Sequence, residues 1–196
     1  MFKKSIGTLL TLFLAFGILS ISIGKVWLGA RFFSSAATIT PTQAPQASPT
    51  AIPKVNYYLA YPGVLPDHPF YKIKTFRDRV WLTMTTNVVR KAELLLLFAD
   101  KRFGAGKVLI EGNQVDLGLT TMQKGVKYLE RAIDQAFVIK SKGIALGPLA
   151  DNLKKAPFKY LEIVIELKDK VDSNGKTVLA DLEIFLNSLA KKVETL

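Results

Sequence analysis

The sequence predicts an all-α protein: an N-terminal transmembrane helix, a disordered Pro/Thr/Ser linker, then an up-and-down bundle of about five helices. Residues Ser5 to Gly24 form twenty consecutive uncharged, mostly apolar positions. As a helix rising about 1.5 Å per residue, such a run spans the roughly 30 Å hydrocarbon core of a bilayer. From Phe32 to Pro53 there is no charge, and Pro41, Pro45, Pro49 and Pro53 recur every four residues. That composition buries too little apolar surface to fold and leans toward extended polyproline conformations. Beyond Lys54, apolar residues recur at spacings of three and four, with Gly, Asn and Pro between the runs, as in helices joined by short links. The expected domains are a membrane anchor at 1–33, a linker at 34–56 and a bundle at 57–196.

The flanks of the apolar run favour a signal anchor. A cleaved signal has an apolar core of about 7 to 15 residues followed by a small-residue site. Here the core is longer, and bulky Val26, Trp27, Leu28, Phe32 and Phe33 follow it. The nearest small-residue site is Ser34-Ser35-Ala36; cleavage near Ala36 is the alternative, and it releases the same bundle. Trp27 suits the interface, where its ring sits at headgroup level. Lys3, Lys4 and the α-amino group favour a cytoplasmic N-terminus, whereas Lys25 and Arg31 oppose it. The charge-free linker, able to hold a domain up to about 60 Å away, tips the expectation toward a single-pass protein with its C-terminal domain extracytoplasmic.

Composition removes several chemistries. With no cysteine among its 196 residues, the chain has no disulfide, lipoprotein anchor, thiolate metal site or cysteine nucleophile. With one histidine, His68, it cannot build a zinc site from several histidines. Formal net charge is +11. The first 53 residues hold four basic and no acidic residues, leaving 23 basic against 16 acidic, or +7, on the rest. The charges are interspersed, as on a solvated surface; an anion-binding face is the second reading.

The first helix is expected near Asp67, which would cap it, with Pro69 in the first turn. Phe70, Ile73, Phe76, Val80 and Met84 would form its core stripe, with Trp81 beside it. Asn87 is placed to cap a second helix with a face of Val88, Ala92, Leu95, Ala99, Phe103, Gly106 and Ile110. Leu94 to Leu97 widen that face, which marks a central helix; Gly112-Asn113 ends it. Val115, Leu119, Met122, Val126, Leu129, Ile133 and Ala136 form a heptad seam like that of a coiled coil. An intrachain hairpin is the reading preferred, a seam between chains the alternative. Gly118 and Gly125 weaken this third helix by up to ~1 kcal/mol each, either for close helix approach or as tolerated residues. A Gly-rich break from Ser141 to Pro148 leads to a fourth helix from about Leu149 to Val171, bent at Pro157. A fifth covers roughly Lys176 to Glu194, with Val178, Leu182, Phe185, Leu189 and Val193 on one side.

Chemistry-bearing candidates are few. His68 lies beside Asp67 near a helix start, but first-turn neighbours do not face one another, so it reads as a surface residue. Glu93, Asp100, Glu111, Glu130 and Asp134 read as surface partners of Lys and Arg, with Glu130 and Asp134 flanking Arg131. Asp172-Ser173-Asn174-Gly175 sits between two helices like a calcium loop, yet both registers fail. With Gly175 at position 6, Lys170 occupies position 1 and Asp181 position 12. With Asp172 at position 1, Lys176 and Thr177 occupy positions 5 and 6 and Glu183 position 12. A plain helix–helix turn is preferred. Tyr57, Tyr58 and Tyr61 have only Lys54 nearby, so they read as residues laying the incoming chain across the bundle, and nucleic acid is not an expected partner.

The segment Tyr61-Pro62-Gly63-Val64-Leu65-Pro66-Asp67-His68-Pro69-Phe70-Tyr71, followed by Arg90-Lys91-Ala92-Glu93-Leu94-Leu95-Leu96-Leu97-Phe98-Ala99-Asp100-Lys101-Arg102, resembles an uncharacterised bacterial and archaeal domain-of-unknown-function family. Its members share a YPG-LLPDSPLY start and a KAELLLEFAEERL second helix. His68 and Phe70 replace the usual Ser and Leu, and Gly104 and Gly106 interrupt a helix that is usually rich in Ala and Glu. The resemblance covers about Tyr61 to Gln135. It implies an extracytoplasmic helical module and carries over no functional residue. The turn itself reads as a rigid device delivering Phe70 and Tyr71 into the core.

The function expected is a membrane-anchored extracytoplasmic interaction or scaffold module of the cell envelope, without catalysis. No catalytic, cofactor-binding or metal residue is assigned and no cofactor is expected. The partners expected are the membrane, through the N-terminal helix, and an envelope protein or anionic polymer. The alternative is a binder of anionic envelope polymers or lipid headgroups through a basic face.

Overall fold

The computed structural model describes residues 55–196. The expected anchor, and all but the end of the expected linker, lie outside the described residues. Among these, all regular structure is helical: α1 Tyr71–Met84, α2 Val88–Glu111, α3 Val115–Ser141, α4 Pro148–Leu167, a 3-10 turn Lys168–Lys170 and α5 Ser173–Glu194. No described helix is long and apolar enough to cross a membrane.

The centre is the α2–α3 hairpin. The Asn87 side chain caps α2 by accepting from the Arg90 N–H at 3.0 Å. At the other end Asn113, at φ 63°, takes the left-handed position, and the Gln114 N–H donates back to the Leu109 carbonyl at 2.8 Å. The expected α2 face is buried from Ala92 to Ile110, and Leu94 and Leu96 are buried as well, as a central helix requires. On α3 the heptad seam is buried from Leu119 to Ala136. Close approach accounts for the glycines. A Cβ on Gly118 would stand 2.6 Å from Ile110 Cγ1 and 2.8 Å from the Gly106 carbonyl oxygen, and one on Gly125 would stand 2.8 Å from the Phe103 nitrogen. The two backbones therefore touch along an antiparallel seam within the chain, and α2 runs unbroken through Gly104 and Gly106.

The second hairpin is α4–α5. Pro157 lies inside α4 and is buried. Asp172 caps α5, its Oδ1 accepting from the Gly175 N–H at 2.9 Å, so α5 begins at Ser173 rather than near Lys176. Pairs between hairpins fix their stacking. Asp100 meets Tyr160, and Lys107 meets Glu166, so α2 and α4 run parallel. Asp134 meets Lys192, and Lys140 donates to the Thr195 carbonyl, so α3 and α5 do likewise. Chain direction thus alternates from helix to helix, while the hairpins stack side by side.

The first helix departs most from expectation. It starts at Tyr71 after Phe70, with no side-chain cap; Asp67 instead accepts from Gln114 Nε2 at 3.2 Å. Its stripe is inverted. Asp78 and Leu82 are buried, while Phe70, Ile73, Phe76, Val80, Trp81 and Met84 are exposed. Phe70 therefore does not enter the core, and Tyr71 is only half-buried. Since α1 packs chiefly on α2, one narrow strip of its surface suffices for attachment.

Candidate interaction surface

On α1, residues 100° apart in projection place Ile73, Phe76, Val80 and Met84 within an arc of about 80°. That arc lies opposite Asp78 and Leu82. Ile73 is 65% exposed, Phe76 69% and Met84 74%. Basic residues border both sides. Lys72 and Arg79 lie along one edge, both exposed. Arg77 lies on the other, donating through Nη2 to Asp78 at 2.8 Å. Asp78 is the single acid of the helix, and it faces inward among Lys74, Lys101 and Arg102. Lys74 is spent locally, its ammonium donating to the Pro62 and Val64 carbonyls. It thereby staples the turn at Gly63, whose φ is 67°, to α1. Burial lowers its pKa below the ordinary lysine value.

The periodicity of these apolar positions was legible, but their destination was not. An apolar stripe says that a face seeks cover without saying what covers it. The signal available was charge: Lys72, Lys74, Arg77 and Arg79 interleave with the stripe, an arrangement at odds with deep burial.

The second notable cluster is internal. Asp100 accepts from the Tyr57 hydroxyl on Oδ2 and from the Tyr160 hydroxyl on Oδ1, each at 2.8 Å. Its carboxyl is pushed up to about 6 by burial, against the opposing pull of those hydroxyls and of a backbone bond from Ala60. Both hydroxyls are raised above the ordinary tyrosine value, first by burial and then by the neighbouring carboxylate. The Tyr160 ring stacks on Phe103 with centroids 3.9 Å apart. Asp100 is therefore no surface partner, as the sequence suggests, but the point where the incoming segment, α2 and α4 meet. A cleft of about 400 Å³ lined by Arg90, Glu93, Leu97 and Asn152 reaches it, yet both carboxylate oxygens are already engaged.

The remaining candidates are dispersed. His68 Nδ1 accepts from the Phe70 N–H at 3.2 Å, so the ring supports the turn before α1. Glu93 pairs with Arg90, and Glu111 with Lys170. Asp134 pairs with Lys192 rather than Arg131, whose guanidinium lies over the Tyr128 ring. At the segment weighed as a calcium loop and read as a plain turn, Asp172 is a cap, Lys170 pairs with Glu111, Glu183 pairs with Lys168, and Asp181 lines a groove with Leu182 and Phe185. Among the described residues, no three His, Cys, Asp or Glu side chains gather as a metal-ligand set. Of the three early tyrosines, Tyr57 lays the incoming chain on the bundle; Tyr58 and Tyr61 are exposed.

Two stacked helical hairpins carrying an outer amphipathic helix define a helical module whose salient feature is the exposed apolar face of that helix. Residues 63–174 match the model of a family described as a domain of unknown function (DUF5667), and the chain belongs to this family. The match runs from the turn ahead of α1 through α4 to the first residues of α5. No curated protein and no solved structure matches the chain.

Proposed function

We propose that the protein is a membrane-anchored, extracytoplasmic interaction module of the cell envelope, without chemistry of its own, and that α1 is its working surface. The outward apolar face of α1 carries this reading: exposing a contiguous stripe costs solubility unless something covers it. In this reading residues 5–24 are the anchor, with the N-terminus cytoplasmic, and residues 34–56 are the spacer. Binding of anionic polymers or lipid headgroups is the second reading, favoured by Lys72 and Arg79 along the same face.

Photocrosslinking in intact cells tests the main reading. A photoreactive side chain at Phe76 is expected to give an adduct, to an envelope protein or to lipid, and one at Ile184, equally exposed on α5 but beside Asp181 and Glu183, is expected to give none. Absence of any adduct from position 76, or identical adducts from both, overturns it. Protease added outside intact cells should reach the domain; full protection refutes the topology.

A further inference from the structure

Resting on that reading, we infer that α1 lies flat on the surface of an anionic lipid bilayer. Ile73, Phe76, Val80 and Met84 enter the boundary between headgroups and acyl chains, and Lys72 and Arg79 reach lipid phosphates.

Shape comes first. The stripe is the outer face of a single helix, and the open hollow on it is lined by Phe76, Arg77, Val80, Trp81, Met84 and Thr85, all from α1 and the residue after it, so no second element walls it. Such a face fits a plane better than it fits a peptide, which needs a groove. Its composition is that of an interfacial helix: an apolar arc, long cationic side chains at both margins, and an aromatic at the edge. Trp81, about half-exposed, occupies that edge, where indole rings favour headgroup level. Lys72 and Arg79 lie beside the arc with their charges free to reach outward, while Arg77 pairs with Asp78.

Charge selects the occupant. Tyr71–Met84 holds four basic residues and one acid, and the acid is turned inward and paired with Arg77. A second copy of the same face would set Lys72, Arg77 and Arg79 against their own counterparts, which is repulsive. An anionic bilayer instead attracts Lys72 and Arg79.

Position supplies the rest. The helix is the first element after residues 1–54, the chain outside the described residues, which end sixteen positions before Phe70. With an anchor at 5–24, the face is held at a high effective concentration over the same membrane. A weak second contact is then enough, as in membrane association that needs two signals.

The absence of cysteine from the chain gives a clean test. The full chain carrying Ile73→Cys, labelled with an environment-sensitive fluorophore, is reconstituted in phosphatidylcholine vesicles with and without phosphatidylglycerol; Ile184→Cys is the control. The label at 73 is expected to shift to the blue and lose iodide quenching in anionic vesicles only. That change should be lost in high salt and in Lys72→Glu/Arg79→Glu, while position 184 stays aqueous throughout. Unchanged melting of each variant shows that the fold is intact. An aqueous label at 73 in anionic vesicles overturns the inference, as does an equal shift in neutral vesicles. A shift that tracks protein concentration in neutral vesicles does so too, in favour of a second copy. If lipid contact fails while Phe76 still crosslinks to a protein, the interaction module survives and the lipid docking does not; if both fail, both fall.

Discussion

Asp100 is the residue whose behaviour is most sharply set by its surroundings. Its folded pKa, about 6, lies above its ordinary 3.8. The folded state therefore holds the proton more tightly than the unfolded chain between those values. The contribution is fully present below about pH 4 and is lost as pH rises through 6. A shift of this size corresponds to roughly 3 kcal/mol. Melting temperature is expected to fall between pH 4 and 7 from this group, and Asp100→Asn should flatten that part of the profile; an unchanged profile in the variant refutes the assignment. Nothing local in the sequence marks Asp100, which shares its helical spacing with half-buried Glu93 and exposed Glu111. Its two tyrosine donors come from 43 and 60 residues away, a separation that periodicity does not reach.

At the scale of elements, the α2–α3 seam and the α1 face make opposite predictions. Alanine at Gly118 or Gly125 gains up to ~1 kcal/mol of helix propensity. Its Cβ nevertheless meets backbone or Ile110 at 2.6–2.8 Å, so net destabilisation of about 1–3 kcal/mol is expected by denaturant titration. A stabilised variant would show that the helices do not pack this closely. Ile73→Glu/Phe76→Glu, by contrast, touches only exposed positions and should change stability by no more than about 0.5 kcal/mol per site; a large loss would mean that the stripe is covered by the bundle. The contrast explains what was legible. On α2 and α3, both neighbours supply apolar seams, so period and partner agree. On α1 the same period is present, but one helix beneath it can cover only one strip. Asp78, held among Lys74, Lys101 and Arg102, occupies part of that strip. Caps were legible where side chain and helix start coincide, as at Asn87. They were not at Asp67, where the Pro66–Phe70 turn delays the helix and leaves the carboxylate to Gln114.

For the whole molecule, the ion pairs that bridge the hairpins, Lys107–Glu166, Lys170–Glu111 and Lys192–Asp134, all involve partly exposed groups. Each is worth about 0–1 kcal/mol, and stacking rests on buried apolar residues such as Leu129, Ile133, Leu153, Val164 and Leu186. Raising salt to about 0.5 M, where screening acts within several ångströms, should therefore leave the melting temperature nearly unchanged while abolishing α1 docking on anionic vesicles. A parallel loss of both would assign the hairpin stacking to charge. The number and order of helices could be read from the chain, because Gly, Asn and Pro punctuate it. The parallel stacking of hairpins could not, since it depends on pairs such as Asp134–Lys192 whose register no local pattern encodes.

The Tyr57–Asp100–Tyr160 junction also decides how the domain bears mechanical load. A pull on the chain ahead of Val55 reaches Tyr57 before it reaches α1. There the hydroxyl grips a carboxylate on α2 that α4 grips in turn, so tension divides between the two hairpins. The turn at Gly63 and the first helix lie downstream of that clamp and carry none of it. With residues 1–54 acting as the proposed tether, drag along it would leave the outer helix slack, free to settle wherever its own chemistry holds it.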